Sequence, residues 1–266
     1  MYAKYRDLKI ERRGRILVIT LDSPPLNAIT PLGHLELSTI FEEINHDQET
    51  DVVVLTGAGA RGFSAGGDVG RMVDRYETQD HAMWNQQMLE ARHIIYGMLR
   101  LEKPLIGRIN GHAIGLGSTL VSFCDISYMM AKARIADTHV NIGLTAGDGG
   151  SLMWPLLIGF QKARYHLLTG EAMTGREAAD CGLITGAAET IEELDEKVFG
   201  MAERLAASPR LAVSTTKMAV NLVLRNMLEG LVETHLGFET QTAWTKDHHE
   251  AGLSFRDNRP PKFTGE

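Results

Sequence analysis

The sequence predicts an α/β fold followed by a helical C-terminal part, and three observations predict it. Short apolar runs of strand length alternate with glycine-rich loops and helical patterns through the first part of the chain. Beyond about residue 160 the texture changes to successive helical patterns. The chain has 266 residues, 44% hydrophobic and 23% charged, enough to bury a sizeable core.

Taken in order, "RILVITL" (15–21) is an apolar run of strand type, and "DSPPLN" after it supplies turn residues. "PLGHLELSTIFEEINHD" has apolar residues at helical spacing, with Pro31 at its start. "DVVVLTG" (51–57) reads as a buried strand that runs into "GAGARGFSAGGDVG". Residues 80–101 form a second helical pattern, and "MLEARHIIYGML" within it is a core-facing stripe. "KPLIGRING" (103–111) is a strand, "HAIGLGSTLVSFC" a glycine-led helix, and "DISYMMA" another strand. No repeat of fixed period is present. Further on, "TGREAADCG" carries Thr174 as N-cap, Glu177 as its capping-box partner and Gly182 past the end. "LITGAA" is strand-like, and the remainder is helical with abundant apolar positions, some expected on the core and some against another subunit.

Composition also limits function. A formal net charge of −7 disfavours a nucleic-acid partner, because phosphate binding wants a basic surface. The two cysteines, Cys124 and Cys181, are too few for a disulfide scaffold and fit a reducing, cytoplasmic setting. The charged N-terminus does not read as a signal peptide, and no apolar run approaches the ~18 residues of a membrane span. No membrane partner is expected.

Two glycine-rich segments follow strands, "FSAGGDV" (63–69) and "INGHAIGLGS" (109–118). Neither is a phosphate loop: the P-loop pattern does not occur, and "GAGARG" lacks the register of a dinucleotide fingerprint. Such loops expose backbone N–H groups, and two N–H groups converging from separate loops make an oxyanion hole. The second loop enters a helix, so N–H groups near Leu116 lie at the positive end of its dipole. The plain alternative is that the glycines serve only turns.

These segments, with "GLTAGDGGSLMWPLLIG", "LLTGEAMTGREAADCGLI" and the tail "DHHEAGLSFRDNRPPKFTG", resemble the enoyl-CoA hydratase/isomerase (crotonase) superfamily. The likeness runs in order from about residue 15 to the end of the chain. It implies a spiral of β-β-α turns over residues 1–200 and a helical trimerisation region over residues 201–266. It further implies an acyl-CoA thioester substrate, no separate cofactor, and a homotrimer or hexamer. It assigns the oxyanion hole to the N–H groups of Ala65 and Leu116. Ser64, Gly67, Asp68, Gly115 and Thr119 are expected to contact substrate. Lys262 or Arg61 would supply positive charge for CoA phosphates.

The sequence departs from the family's hydratases at two positions. Where they carry two glutamates, this chain has Thr119 and His139. Asp148, set in "AGDGG", becomes the candidate catalytic base, with His139 as its helper or water-orienting neighbour. The flanking glycines suggest freedom to approach a substrate carbon. The competing role for Asp148 is an N-cap of the helix that follows. His34 and His112 are read as structural, and "DHHE" (247–250) as a solvated helix turn rather than a metal site. Hydration or double-bond isomerisation through an enolate is the expected reaction. The alternatives are hydrolytic C–C cleavage of a β-dicarbonyl compound, and thioester binding with little turnover.

Overall fold

A computed structural model describes residues 1–266. A hairpin opens the fold: β1 (Leu8–Arg13) pairs antiparallel with β2 (Ile16–Leu21). The chain then runs through α1 (Pro31–His46) to β3 (Val52–Gly57), which lies parallel to β2. Thr30 caps α1 by accepting from the Gly33 N–H at 3.1 Å, and Pro31 takes the first helical position, where no N–H is needed.

From β3 onward each turn of the chain lays one strand in each of two sheets. β4 (Gly62–Ser64) follows β3, and α2 (Met72–Thr78) and α3 (His81–Arg100) lead back to β5 (Leu105–Ile109). β6 (His112–Ile114) and α4 (Leu116–Ser122) come next, then β7 (Ile126–Met130) and β8 (Arg134–Ala136). A 3₁₀ turn (His139–Ile142) leads to α5 (Gly150–Thr169), β9 (Met173–Thr174), α6 (Gly175–Cys181) and β10 (Gly186–Ala188). The large sheet has the order β1-β2-β3-β5-β7-β10 and the small one β4-β6-β8-β9. The result is the expected spiral. The strands of the small sheet were not expected individually: each has only two or three residues, too few for a period-two signal.

β3 is buried along its whole length because both faces of the large sheet are covered. Val53 and Leu55 face the main core beside Leu37 and Ile40 of α1 and Ile94 and Met98 of α3. Val52 and Val54 face α7 (Ile191–Ala206), against its fully buried Leu194 and Val198. Burying each such aliphatic side chain stabilises the fold by about 1.5–3 kcal/mol relative to exposure.

Helices α8 (Arg210–Leu228), α9 (Leu231–Ala243) and α10 (Lys246–Arg256) complete the chain. Leu228, Val232 and Leu236 join the main core, so the C-terminal helices pack on the spiral itself. The capping box at Thr174 and Glu177 forms as expected, with Gly182 in the left-handed conformation after α6. No helix is long and apolar enough to cross a membrane.

Candidate active site

A cleft of about 160 Å³ opens between the spiral and the C-terminal helices. Its walls bring together Ala65, Gly67, Asp68, Gly115, Leu116, His139 and Asp148 from the spiral, with Glu239 of α9 and His248 of α10.

The two glycine-rich loops meet at its rim. A Cβ on Gly66 would stand 2.6 Å from the Ile114 carbonyl oxygen, so only glycine lets the loops approach this closely. The Ala65 N–H is already spent on the Leu26 carbonyl at 3.0 Å, which corrects its assignment as an oxyanion donor. Two residues on, the Gly67 N–H has no partner within the protein, and neither does the Leu116 N–H at the start of α4. Gly67 and Leu116 both line the cleft, one from each loop, and each leaves a backbone N–H free of protein partners there.

Ser64 is not in the cleft. It is fully buried beneath the loop, where its hydroxyl donates to the Asn27 carbonyl and accepts from the Gly66 N–H. Asp68 lines the cleft but is occupied as a cap, accepting from Gly70 N–H at 3.1 Å. Lys262 lies in the tail with Lys246, Glu250 and Arg259, in a separate polar depression. Its backbone N–H donates to Glu250, and neither it nor Arg61 lines the cleft of this chain.

Asp148 is buried and does not cap α5, whose N-cap, Gly149, makes no side-chain bond. Its Oδ1 accepts from the Thr119 hydroxyl at 3.0 Å, and its Oδ2 lies 3.5 Å from His139 Nε2. The opposite ring nitrogen of His139, Nδ1, meets Asp137 Oδ1 at 2.7 Å. A line of buried groups results: Asp137, His139, Asp148, Thr119. Burial disfavours a charged His139, but Asp148 and Asp137 outweigh it and hold the ring well above the ordinary histidine range. Burial likewise disfavours the Asp148 carboxylate, yet His139 and Thr119 prevail and lower it below its ordinary value. The ring therefore favours its charged form between two aspartates.

The glycines around Asp148 do not supply freedom. A Cβ on Gly147 would stand 2.3 Å from the His235 carbonyl oxygen, and one on Gly150 would stand 1.8 Å from Asp137 Oδ2. They let α9 and the Asp137 carboxylate close on the acid loop, so Asp148 is held rather than loose.

Glu239 was not expected. It projects from α9 onto the acid loop, is 5% exposed, and has one carboxyl oxygen without a partner. Burial first, then the neighbouring Asp148 charge, push it up to about 8, so it is protonated at neutral pH. Nothing in the C-terminal sequence marks it, because its meaning comes only from a contact remote in sequence. His248 corrects the reading of "DHHE" as solvated: it is fully buried and bonded to Arg75. His34 also reaches the cleft wall, paired with Glu90 at 2.7 Å, while His112 accepts from the Arg134 N–H, a structural role.

Asp137, His139 and Asp148 have ligand-type atoms within 4.8 Å of one another. Each ring nitrogen of His139 faces one of the carboxylates, so the three groups are partners of each other. A cation there would have to displace the imidazolium proton.

The family described as Enoyl-CoA hydratase/isomerase matches residues 11–266. The (E)-benzylidenesuccinyl-CoA hydratase of Thauera aromatica is 30% identical, the alignment covering 96% of this chain and 98% of the relative. The short-chain-enoyl-CoA hydratase of Clostridium acetobutylicum is 29% identical over 94% of each. The crystal structure of an enoyl-CoA hydratase/isomerase from Mycobacterium paratuberculosis superposes with a TM-score of 0.88 at 31% identity, covering 93% of this chain and 98% of that one.

Proposed function

Since the chain belongs to the enoyl-CoA hydratase/isomerase family, we propose that it runs enolate chemistry on an acyl-CoA thioester, with Asp148 as base and Glu239 as acid. One observation carries this reading: two unpartnered backbone N–H groups, of Gly67 and Leu116, open on the same cleft as an ionised and a protonated carboxyl group. The thioester carbonyl accepts from the two N–H groups, which stabilise negative charge as it grows on oxygen. Two carboxyl groups whose environments drive them apart divide the labour of base and acid at one pH.

For hydration of a 2-enoyl thioester, Asp148 takes a proton from water as the hydroxyl adds to the β-carbon. Glu239 then gives its proton to the α-carbon as the enolate collapses. The two groups exchange protonation states, and a proton transfer between them or through solvent resets the site. For isomerisation, one carboxylate removes a proton from carbon and the same proton, or the neighbouring acid's, returns at the far end of the dienolate. His139 stays protonated between its aspartates and holds Asp148 in place.

The proposal extends to assembly and setting. Leu211, Val220, Leu222, Val223 and Phe238 are exposed apolar side chains on α8 and α9, and they support a trimer or dimer of trimers formed through residues 201–266. The two free cysteines support a cytoplasmic setting. Coenzyme A enters only as part of the substrate.

Products formed from a panel of enoyl-CoA thioesters in labelled water test the reaction. Water oxygen at the β-carbon marks hydration, and deuterium exchange without water addition marks isomerisation. Label in a new carboxylate with chain cleavage marks C–C hydrolysis. Thioester binding without any product would leave a binding protein and overturn the catalytic reading.

A further inference from the structure

Arg75 of α2 lines the same cleft and is 8% exposed. Its guanidinium stacks on the Trp84 ring, 4.4 Å from the centroid, and its Nη2 donates to His248 Nε2 at 2.8 Å. His248 in turn donates from Nδ1 to the Ile142 carbonyl at 2.7 Å, which fixes it as a neutral acceptor. Burial lowers His248 to about 4, so it stays neutral and accepts from the arginine without adding a second positive charge. Beyond this, Arg75 has only a long contact of 3.4 Å to Gln87. No carboxylate lies within ion-pair distance of it, although every other strongly buried cation in the chain faces one: Lys217 meets Asp125 at 2.6 Å, and His139 meets Asp137. Glu239 on the cleft wall acts on Arg75 only at longer range, and burial raises its acid to about 8.

A buried guanidinium without an ion-paired anion is costly, and this one is held by Trp84 and His248 while lining a cavity. Met72, Met83, Met88 and Leu144 form an apolar stretch of the wall beside Trp84, and Arg71, Gln87 and Glu239 line the same cleft. An acyl chain fits such a wall. An uncharged chain would leave Arg75 buried and unpaired. A chain ending in a carboxylate would accept the planar fork of donors that Arg75 presents.

We propose that Arg75 selects acyl-CoA thioesters whose acyl group carries a second carboxylate, and that it pairs with that carboxylate inside the cleft. This rests on the reading of the cleft as an acyl-CoA site, and names the class of acyl group. Arg75 sets specificity and takes no part in proton transfer.

The test compares binding of two unreactive thioesters, adipyl-CoA and hexanoyl-CoA, by titration calorimetry. They differ at the chain end alone, and binding needs no turnover. The wild-type protein is expected to favour adipyl-CoA by about 10²-fold or more. In Arg75→Met the ratio should fall towards unity, and Arg75→Lys should keep part of it, since the charge stays but the fork is lost. Equal binding of the two thioesters by the wild type overturns the proposal and leaves the acyl-CoA reading intact. So does a preference that survives in folded Arg75→Met. Binding of neither thioester overturns both. The wild-type comparison decides the matter even if Arg75→Met does not fold.

Discussion

The Thr119 hydroxyl donates to Asp148 Oδ1 at 3.0 Å, both residues being buried. The threonine that stands where the family's hydratases carry a first glutamate thus positions the acid of another loop. Its hydrogen bond favours the ionised carboxylate and is one reason Asp148 lies low. Thr119→Val should therefore raise Asp148. Activity on the acidic side is lost as pH falls through the Asp148 pKa, so the acid limb of the rate profile should move to higher pH. A profile identical to wild type would deny the threonine this role.

The two free N–H donors act through the backbone. Leu116→Pro removes one and should lower turnover by about 10²-fold or more, with folding checked by circular dichroism. Ala65→Gly should be mild by the same assay, because it removes only a methyl group and leaves every backbone N–H in place.

Glu239 provides a test with a definite sign. Its acid is raised to about 8 in the folded protein, so the folded state holds a proton that the unfolded chain releases near the ordinary carboxylate value. Its contribution to stability is full below that value and is lost as pH rises towards about 8. Glu239→Gln should melt at a higher temperature than wild type at pH 8, and the gain should shrink by pH 5. Turnover of the variant should fall by about 10²-fold. A melting difference independent of pH would show that Glu239 is ionised in the folded state.

Gly150 is a packing requirement. A methyl group there would fall 1.8 Å from Asp137 Oδ2, so Gly150→Ala must push the carboxylate away from His139. Overpacking of this kind costs about 1–3 kcal/mol, and the histidine should lose part of its raised pKa. Unfolding by urea and an NMR titration of the imidazole check the two effects.

Much of the fold was legible in the sequence, because β2, β3, β5, α1 and α3 carry long, regular apolar patterns. The small sheet was not, since β4, β6, β8 and β9 are shorter than the pattern that would reveal them. At the site, Asp148, His139 and Leu116 were visible through their local setting. The resemblance points to Ala65 as a donor, and the sequence does not reveal that its N–H pairs with the Leu26 carbonyl from another part of the chain. Glu239, Arg75 and His248 were missed for a related reason. In sequence each is an ordinary helical polar residue, and only tertiary contact buries it in the cleft.

The central claim is that Asp148 is the base for enolate chemistry on a CoA thioester. The most direct measurement follows loss of the conjugated-thioester absorbance of 2-enoyl-CoA substrates with wild type, Asp148→Asn and His139→Gln, with binding measured in parallel. Asparagine keeps the size of the side chain and can still accept from Thr119, but it cannot take a proton. The account predicts that Asp148→Asn binds thioester and turns it over at least ~10²-fold more slowly, with His139→Gln falling less. Wild-type turnover that Asp148→Asn matches would contradict it.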